Sequence, residues 1–344
     1  MDLVLDDISC GELLYPFTGT RSIVDIRIGI LTIREKWELL CGHKIQTTSE
    51  AVEIKEPAHI IPGNTIPSEE YLETLRSSRY SPSNIECITV EFPWQISQFN
   101  DIELRKDFKL ITHNRLSEKI PAGVTVIDKE NVFIEKGANI QYAIINGSTG
   151  PVYIGKNTTI MEGSLIRGPF ALGEGSVVKM GSKIYGATTA GPYCILGGEI
   201  KNSVFFGYSN KAHDGYLGDS VIGEWCNLGA GTSNSNIKNT AGIVSVWENA
   251  SKKFMPAGNK IGLVLGDYSR AAINTSFNTG TVAGVCCNIF HNGFPPKHIP
   301  DFTFGEDKYE LEKAFKDINN WKKLKGHTFT EKEKSILSAL YYKQ

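Results

Sequence analysis

Several chemistries leave no trace in this chain. Its seven cysteines, Cys10, Cys41, Cys87, Cys194, Cys226, Cys286 and Cys287, are odd in number and hold no Cys-x-x-Cys pair. That argues against a disulfide framework or a zinc-ligand spacing, and reduced, mostly buried thiols are expected, the adjacent Cys286 and Cys287 included. Of the seven histidines only His213 falls inside the repeated region described below, with His291 and His298 in a Pro-rich exit and His327 in the tail, so no metal site is expected. Charge of one sign is lacking too. Lys and Arg number 36 against 38 Asp and Glu, a formal net charge of -2, with no long basic run, which speaks against nucleic acid as a partner. No apolar run reaches the length of a membrane span, and Met1-Asp2-Leu3 opens a strand-like run followed by acids, so no membrane association is expected and the cytoplasm is the expected compartment.

What is present is a period. With 344 residues, 41% of them apolar, the chain can bury a substantial core and hold more than one domain. From Ile154 every sixth residue is apolar or small: Ile154, Ile160, Ile166, Leu172, Val178, Ile184, Ala190 and Leu196. Glycine often follows, as at Gly155, Gly173, Gly191 and Gly197. Six matches neither a helix nor simple alternation. It is the period of hexapeptide β-helices, in which each repeat is a short strand plus a turn and three repeats close one coil. The phase breaks after Leu196 and returns two residues out of step at Ile222-Gly223 and Leu228-Gly229, which predicts a segment looped out between them. A second interruption covers Asn234 to Gly262, after which Leu265, Ala271, Phe277, Ala283 and Ile289 restore the spacing. Insertions on a rigid solenoid tend to carry function, so these two breaks should bracket the site.

The flanks follow other patterns. Leu3-Val4-Leu5 reads as a strand, and Ile23, Ile26, Ile30, Ile33 and Trp37 form a stripe that predicts an amphipathic helix over 23–40. Ala58 to Ile61 reads as a strand entering a Pro62-Gly63-Asn64 turn, Ser68 to Arg76 as a helix capped by Ser68, and Trp94 to Asn114 as a connecting helix. Thr330-Glu-Lys-Glu333 is a capping box that should open a terminal helix to about Tyr342. The expected architecture is mixed: a small α/β N-terminal domain over 1–115, a left-handed parallel β-helix of hexapeptide repeats over 116–300, and a C-terminal helical tail over 301–344.

The stretch Lys211-Ala-His-Asp-Gly-Tyr-Leu-Gly-Asp followed by Asn227-Leu-Gly-Ala-Gly-Thr-Ser-Asn-Ser-Asn236 resembles the acetyltransferase half of the bifunctional enzymes that make UDP-N-acetylglucosamine. It is also similar to a shorter, alternative GlmU-like family of hexapeptide-repeat acyltransferases. Phe17-Thr-Gly-Thr-Arg21 and Asp25 to Trp37 resemble the sugar nucleotidyltransferase signature of that alternative family. The resemblance implies His213 as catalytic base and Lys201, Tyr216 and Asn236 as sugar contacts, with Arg21 as a candidate phosphate contact. It implies Asn227, Gly229, Ala230 and, at a later coil, Ala283 along acetyl-CoA. Spacing agrees without gaps from Glu199 to Asn236. Ile237 stands where the family often has Tyr, and Asp6-Asp7-Ile-Ser-Cys-Gly11 is not the Gly-rich loop that full-length nucleotidyltransferases use to cradle nucleotide phosphates.

The chemistry implied is transfer of an acetyl group from acetyl-CoA to a hexosamine 1-phosphate. His213 would take the amine proton, Lys201 would offset the phosphate, and an N–H of the Gly229-Ala230-Gly231 turn would face the developing oxyanion. A groove between neighbouring β-helices would hold the long coenzyme, which implies a homotrimer. Two other readings stand: a sugar-1-phosphate nucleotidyltransferase using UTP or dTTP with Mg²⁺, the β-helix serving assembly, and a non-catalytic scaffold.

Overall fold

The structure, a computed structural model, describes residues 2–51, 58–77 and 87–343. The six-residue period puts one inward side chain on each short strand, and parallel stacking turns these into three ladders. Face I runs from Thr125–Ile127 through Ile144–Asn146, Leu165–Arg167, Lys183–Tyr185 and Glu199–Lys201 to Tyr216–Gly218. Face II runs from Val132–Ile134 to His298–Ile299, and face III begins at Asn139–Ile140 and continues to the end of the solenoid. The eight residues of the sequence period fall on faces II, III and I in rotation. Ile154 and Leu172 stack on face II, Ile160 and Val178 on face III, and Ile166 and Ile184 on face I. All eight are 2% exposed or less. At about 1.5–3 kcal/mol for each large aliphatic side chain, these ladders supply much of the driving force for the solenoid.

The expected loop after Leu196 is not there. The inward positions continue as Ile200, Phe205, Lys211, Leu217, Ile222 and Leu228, each in register with the inward residue of a neighbouring coil. The corners shorten instead: Leu196 to Ile200 spans four residues rather than six, and Phe205 and Ile222 each arrive one residue early. A run of short corners shifts the phase as an insertion does, which is why the two look alike in sequence. The second interruption is a true insertion. It contains an antiparallel hairpin, Val244–Glu248 against Lys253–Gly258, whose Val244 and Val246 are buried.

In front of the solenoid, Asp2–Asp6 is the centre of a three-stranded parallel sheet between Gln46–Thr47 and Ala58–Pro62. The helix expected over 23–40 starts only at Ile33. Residues 27–32 form a small hairpin whose turn needs Gly29 at φ +74°, and Thr32 and Glu35 then make a reciprocal capping box for helix α1 (Ile33–Cys41). Helix α2 (Glu69–Ser77) takes its cap from Ser68, whose Oγ accepts the Tyr71 N–H at 3.1 Å. Helix α3 (Gln95–Thr112) occupies the connecting position. Front and solenoid share one apolar core, in which Leu5, Phe17, Ile26 and Trp37 pack with the outward side chains Val204, Phe206, Val221 and Val264 of face II.

The tail holds two helices, α4 (Leu311–Leu324) and α5 (Glu331–Tyr342), the latter opened by the Thr330–Glu333 capping box. They cover a column of rings at the corner between faces II and III, where Tyr193, Tyr208 and Trp225 stack at centroid separations of 5.2 and 4.3 Å. Among the described residues no helix is long and apolar enough to cross a membrane.

Candidate active site

His213 lies on the corner between faces III and I, in the turn joining Asn210–Lys211 to Tyr216–Gly218. Its side chain is exposed. The corner backbone is tightly constrained. Gly215 has φ +120°, and a Cβ there would come within 2.2 Å of the Thr232 carbonyl oxygen in the next coil. Gly231 N–H donates to Asp214 O at 3.0 Å and Glu199 N–H to Gly215 O at 3.1 Å, so the turn is tied to the coils on both sides. It is a rigid platform for an imidazole.

Beside it, face I presents a polar cluster. Alternation along a strand sends Glu199 and Lys201 outward around buried Ile200, and Tyr216 stands in register with Glu199. The Tyr185 hydroxyl donates to Glu199 Oε1 at 2.6 Å, a bond that, with partial burial, pushes the phenol up to about 12. Lys201 Nζ lies 5.8 Å from the centre of the Tyr185 ring. Tyr216 is pushed up to about 12, first by burial and then by the charges of Asp219 and Glu199, while a hydrogen bond with Asn236 opposes the shift. Asn236 Nδ2 also donates to Asp219, whose other oxygen accepts from Asn202 Nδ2 at 3.2 Å. Lys201, Tyr216 and Asn236 thus belong to one connected patch.

The remaining expected residues divide. Asn227 lies on face III, its Oδ1 accepting from Asn210 Nδ2 at 3.3 Å. In the Gly229-Ala230-Gly231 turn, the Gly229 and Gly231 N–H groups are already spent on Ala271 O and Asp214 O, each at 3.0 Å, while the Ala230 N–H makes no backbone bond among the described residues. Ala283 is fully buried in the inward ladder of face II, so its side chain cannot line a surface groove. Arg21 is not a free phosphate contact. Its guanidinium is paired with Asp267 and, at 3.2 Å, with Glu224, and lies over the Phe206 ring, which fastens the front segment to face II.

The sequence reading did not single out Glu199, Tyr185, Asp219 or Lys211. Glu199 was within reach, since it flanks the same inward isoleucine as Lys201. Lys211 was hidden by the phase break.

At the carboxyl end of the central front strand, Asp6 and Asp7 are saturated. Asp7 accepts from Ser22, Thr48 and Ser49, and these bonds outweigh burial to hold it at about 2. Such carboxylates have few lone pairs to offer a cation, and among the described residues no group of three or more His, Cys, Asp or Glu could hold a metal ion. Among the described residues, Asp6 and Asp7 do not fit a Mg²⁺ site.

Residues 3–78 match the family described as sugar nucleotidyl transferase. The bifunctional protein GlmU of Synechococcus elongatus is 27% identical over 256 residues, covering 68% of this chain and 52% of its own. The GlmU proteins of Rippkaea orientalis and Methanocaldococcus jannaschii are each 32% identical, over 44% and 33% of this chain and 38% and 27% of their own. The chain therefore spans about half the length, or less, of the curated relatives it matches. The crystal structure of the polySia specific acetyltransferase NeuO aligns at 13% identity with a TM-score of 0.24, over 54% of this chain and 76% of that one. The chain is thus similar to the sugar nucleotidyl transferase family over its front segment and, at modest identity and over part of their length, to bifunctional GlmU proteins.

Proposed function

We propose that this chain is a transferase of nucleotide-sugar synthesis that moves an acetyl group from acetyl-CoA to the amine of a hexosamine 1-phosphate, with glucosamine 1-phosphate as the acceptor to test. The observation that carries the reading is the juxtaposition of an exposed histidine on a rigid corner with the connected Lys201–Tyr216–Asn236 patch on the adjoining face. The resemblance to GlmU proteins, bifunctional by name, supports it.

His213 accepts a proton from the attacking amine, which at neutral pH is largely protonated and a poor nucleophile until a base assists. Acetyl-CoA supplies the activated acyl group, with Asn227 and Ala230 placed to hold it. As the N–C bond forms and the C–S bond breaks, the Ala230 N–H is the donor free to meet charge on the acyl oxygen without reorganisation. Lys201 offers a counter-charge to the sugar phosphate, and Tyr216, whose phenol is pushed up to about 12 and is neutral at neutral pH, offers a hydrogen-bond donor to a sugar hydroxyl. The homotrimer follows from the coenzyme's length, because one flat face encloses little of it. Incubation with acetyl-CoA and glucosamine 1-phosphate should release free thiol, and His213→Ala should lower kcat by about 10²–10⁴-fold. Thiol release that persists undiminished in the variant would remove His213 from the role.

Nucleotidyl transfer is a second reading, favoured by the match over residues 3–78 and opposed by the saturated Asp6 and Asp7. It requires pyrophosphate release from UTP or dTTP with a sugar phosphate. A pure scaffold requires both assays to be silent.

A further inference from the structure

Face III carries one inward residue that does not belong to an aliphatic ladder. In register from Ile140 through Ile160, Val178 and Leu196, the next inward position is Lys211, followed by Leu228, Ala271 and Ile289. Lys211 has no exposed surface. Its stem fills the axis and its Nζ turns toward the corner, donating to the carbonyl oxygens of His213 and, at 3.1 Å, Asp214. A leucine or isoleucine would pack this position without removing an ammonium from water, and a buried charge carries a heavy desolvation cost. Among the described residues no carboxylate pairs with the nitrogen; the charge of Asp214 favours the ammonium, and burial outweighs it. The ladder itself gains nothing from the nitrogen. The gain is at the turn, where two successive carbonyls are drawn inward.

We propose that Lys211 is a positioning residue that tethers the 212–215 turn from inside the solenoid and so fixes the direction in which His213 projects. The proposal rests on the reading of His213 as the base. The carbonyls held are those of His213 itself and of Asp214, so the peptide planes on the C-terminal side of the imidazole are set by a side chain two residues upstream, inside the axis. The Asp214 carbonyl also accepts from the Gly231 N–H of the next coil and the Gly215 carbonyl from Glu199 N–H, so the tether adds its hold on the His213 carbonyl to a turn whose following carbonyls are tied to both neighbouring coils. Without the inner tether the turn keeps its stacking bonds and the solenoid keeps its ladder, but the imidazole has more than one direction available.

The test is Lys211→Met, with Lys211→Leu as a second aliphatic, in the full chain. Three measurements are needed: kcat and KM for thiol release with acetyl-CoA and glucosamine 1-phosphate, amide hydrogen exchange over 209–218, and thermal melting. The expected result is a kcat lower by roughly 10- to 100-fold with both KM values within about 2-fold, since misdirection of a catalytic group by about an ångström suffices for such a loss. Exchange at 212–215 should accelerate about 10-fold, with a melting temperature equal to or above that of the wild type. Unchanged kcat and exchange would overturn the proposal, as would a loss of activity that tracks a lower melting temperature. If the wild-type chain transfers no acetyl group, the acetyltransferase reading fails by itself. The exchange measurement then still decides whether Lys211 holds the turn.

Discussion

A charged nitrogen drawn from water into the corner of a β-helix is costly to keep protonated, and its protonation is therefore coupled to folding. Burial pushes Lys211 down from its usual range to about 8 in the folded chain, whereas the unfolded chain keeps the ordinary value of 10.5. Between these values the unfolded state binds more protons, so the contribution of this residue to stability rises with pH from about 8 to 10.5. Below about pH 8 the full cost of the buried ammonium is present. Lys211→Met removes that cost, on the order of 3 kcal/mol. The variant should melt above the wild type near pH 7, and the difference should shrink toward pH 10; melting curves at both values check this. An advantage that is constant across pH would mean that the ammonium is solvated in the folded protein. Tyr216 shows the complementary case. Its hydroxyl is raised, not lowered, and it remains a neutral donor throughout the range in which the enzyme would be assayed.

At the scale of elements, α3 joins the front to the solenoid through polar groups that are fully buried. Asn100 Nδ2 donates to Ala187 O at 2.8 Å, while its Oδ1 accepts from Gly29 N at 2.8 Å and Thr189 Oγ1 at 3.2 Å. One turn further on, Lys36 of α1 pairs with Glu103 at 3.0 Å and with Asp107, which also accepts the Ile30 and Leu31 N–H groups. Burial is the larger effect on Asp107 and raises its pKa despite Lys36. Lys36→Met leaves the buried Asp107 without its counter-ion and Glu103 with Lys106, at 2.9 Å, in place of two cations, and should destabilise the protein by about 3–5 kcal/mol at neutral pH. Acids whose folded pKa is raised lose stability as pH rises through their unfolded value, so part of that loss should return on acidification toward pH 5. Denaturant titrations at the two pH values measure it. Little of this network was legible in the sequence, because Gly29, Lys36 and Asn100 matter through partners distant in the chain. The ladders were legible because each coil repeats the same local demand: an inward aliphatic residue, then a tight corner. Where the corners shorten, after Leu196, the period fails although the structure continues, and Lys211 and the outward role of Glu199 went unread with it. The stripe from Ile23 to Trp37 misled for a related reason. Ile23 of a 3-10 turn and Ile33 and Trp37 of the helix reach one core while Ile30 of the hairpin packs beside Leu104 in a neighbouring cluster, and together they imitate one helix.

At the scale of the whole molecule, the question is whether the front segment is a domain at all. Its three-stranded sheet is small, and its largest buried side chains are completed by the solenoid: Phe17 packs on Phe206 with ring centroids 4.7 Å apart, and Ile28 and Trp37 belong to the same core as Val204, Val221 and Val282. Polar staples lie at the rim of that contact, with Arg21 on Asp267 and Glu224 and the Tyr15 hydroxyl on Asp301 at 2.8 Å. A segment whose core is supplied in part from outside loses that burial when it stands alone, and with it part of what offsets its chain entropy. Residues 1–115 produced alone should therefore show poor amide dispersion and rapid hydrogen exchange. The full chain should melt in one transition that includes the front, and a front destabilised by Lys36→Met should lower that single transition without splitting it. A fragment 1–115 that folds and binds UTP would reverse the argument: the front would then be an independent nucleotide-binding unit, and nucleotidyl transfer would regain its place beside acetyl transfer.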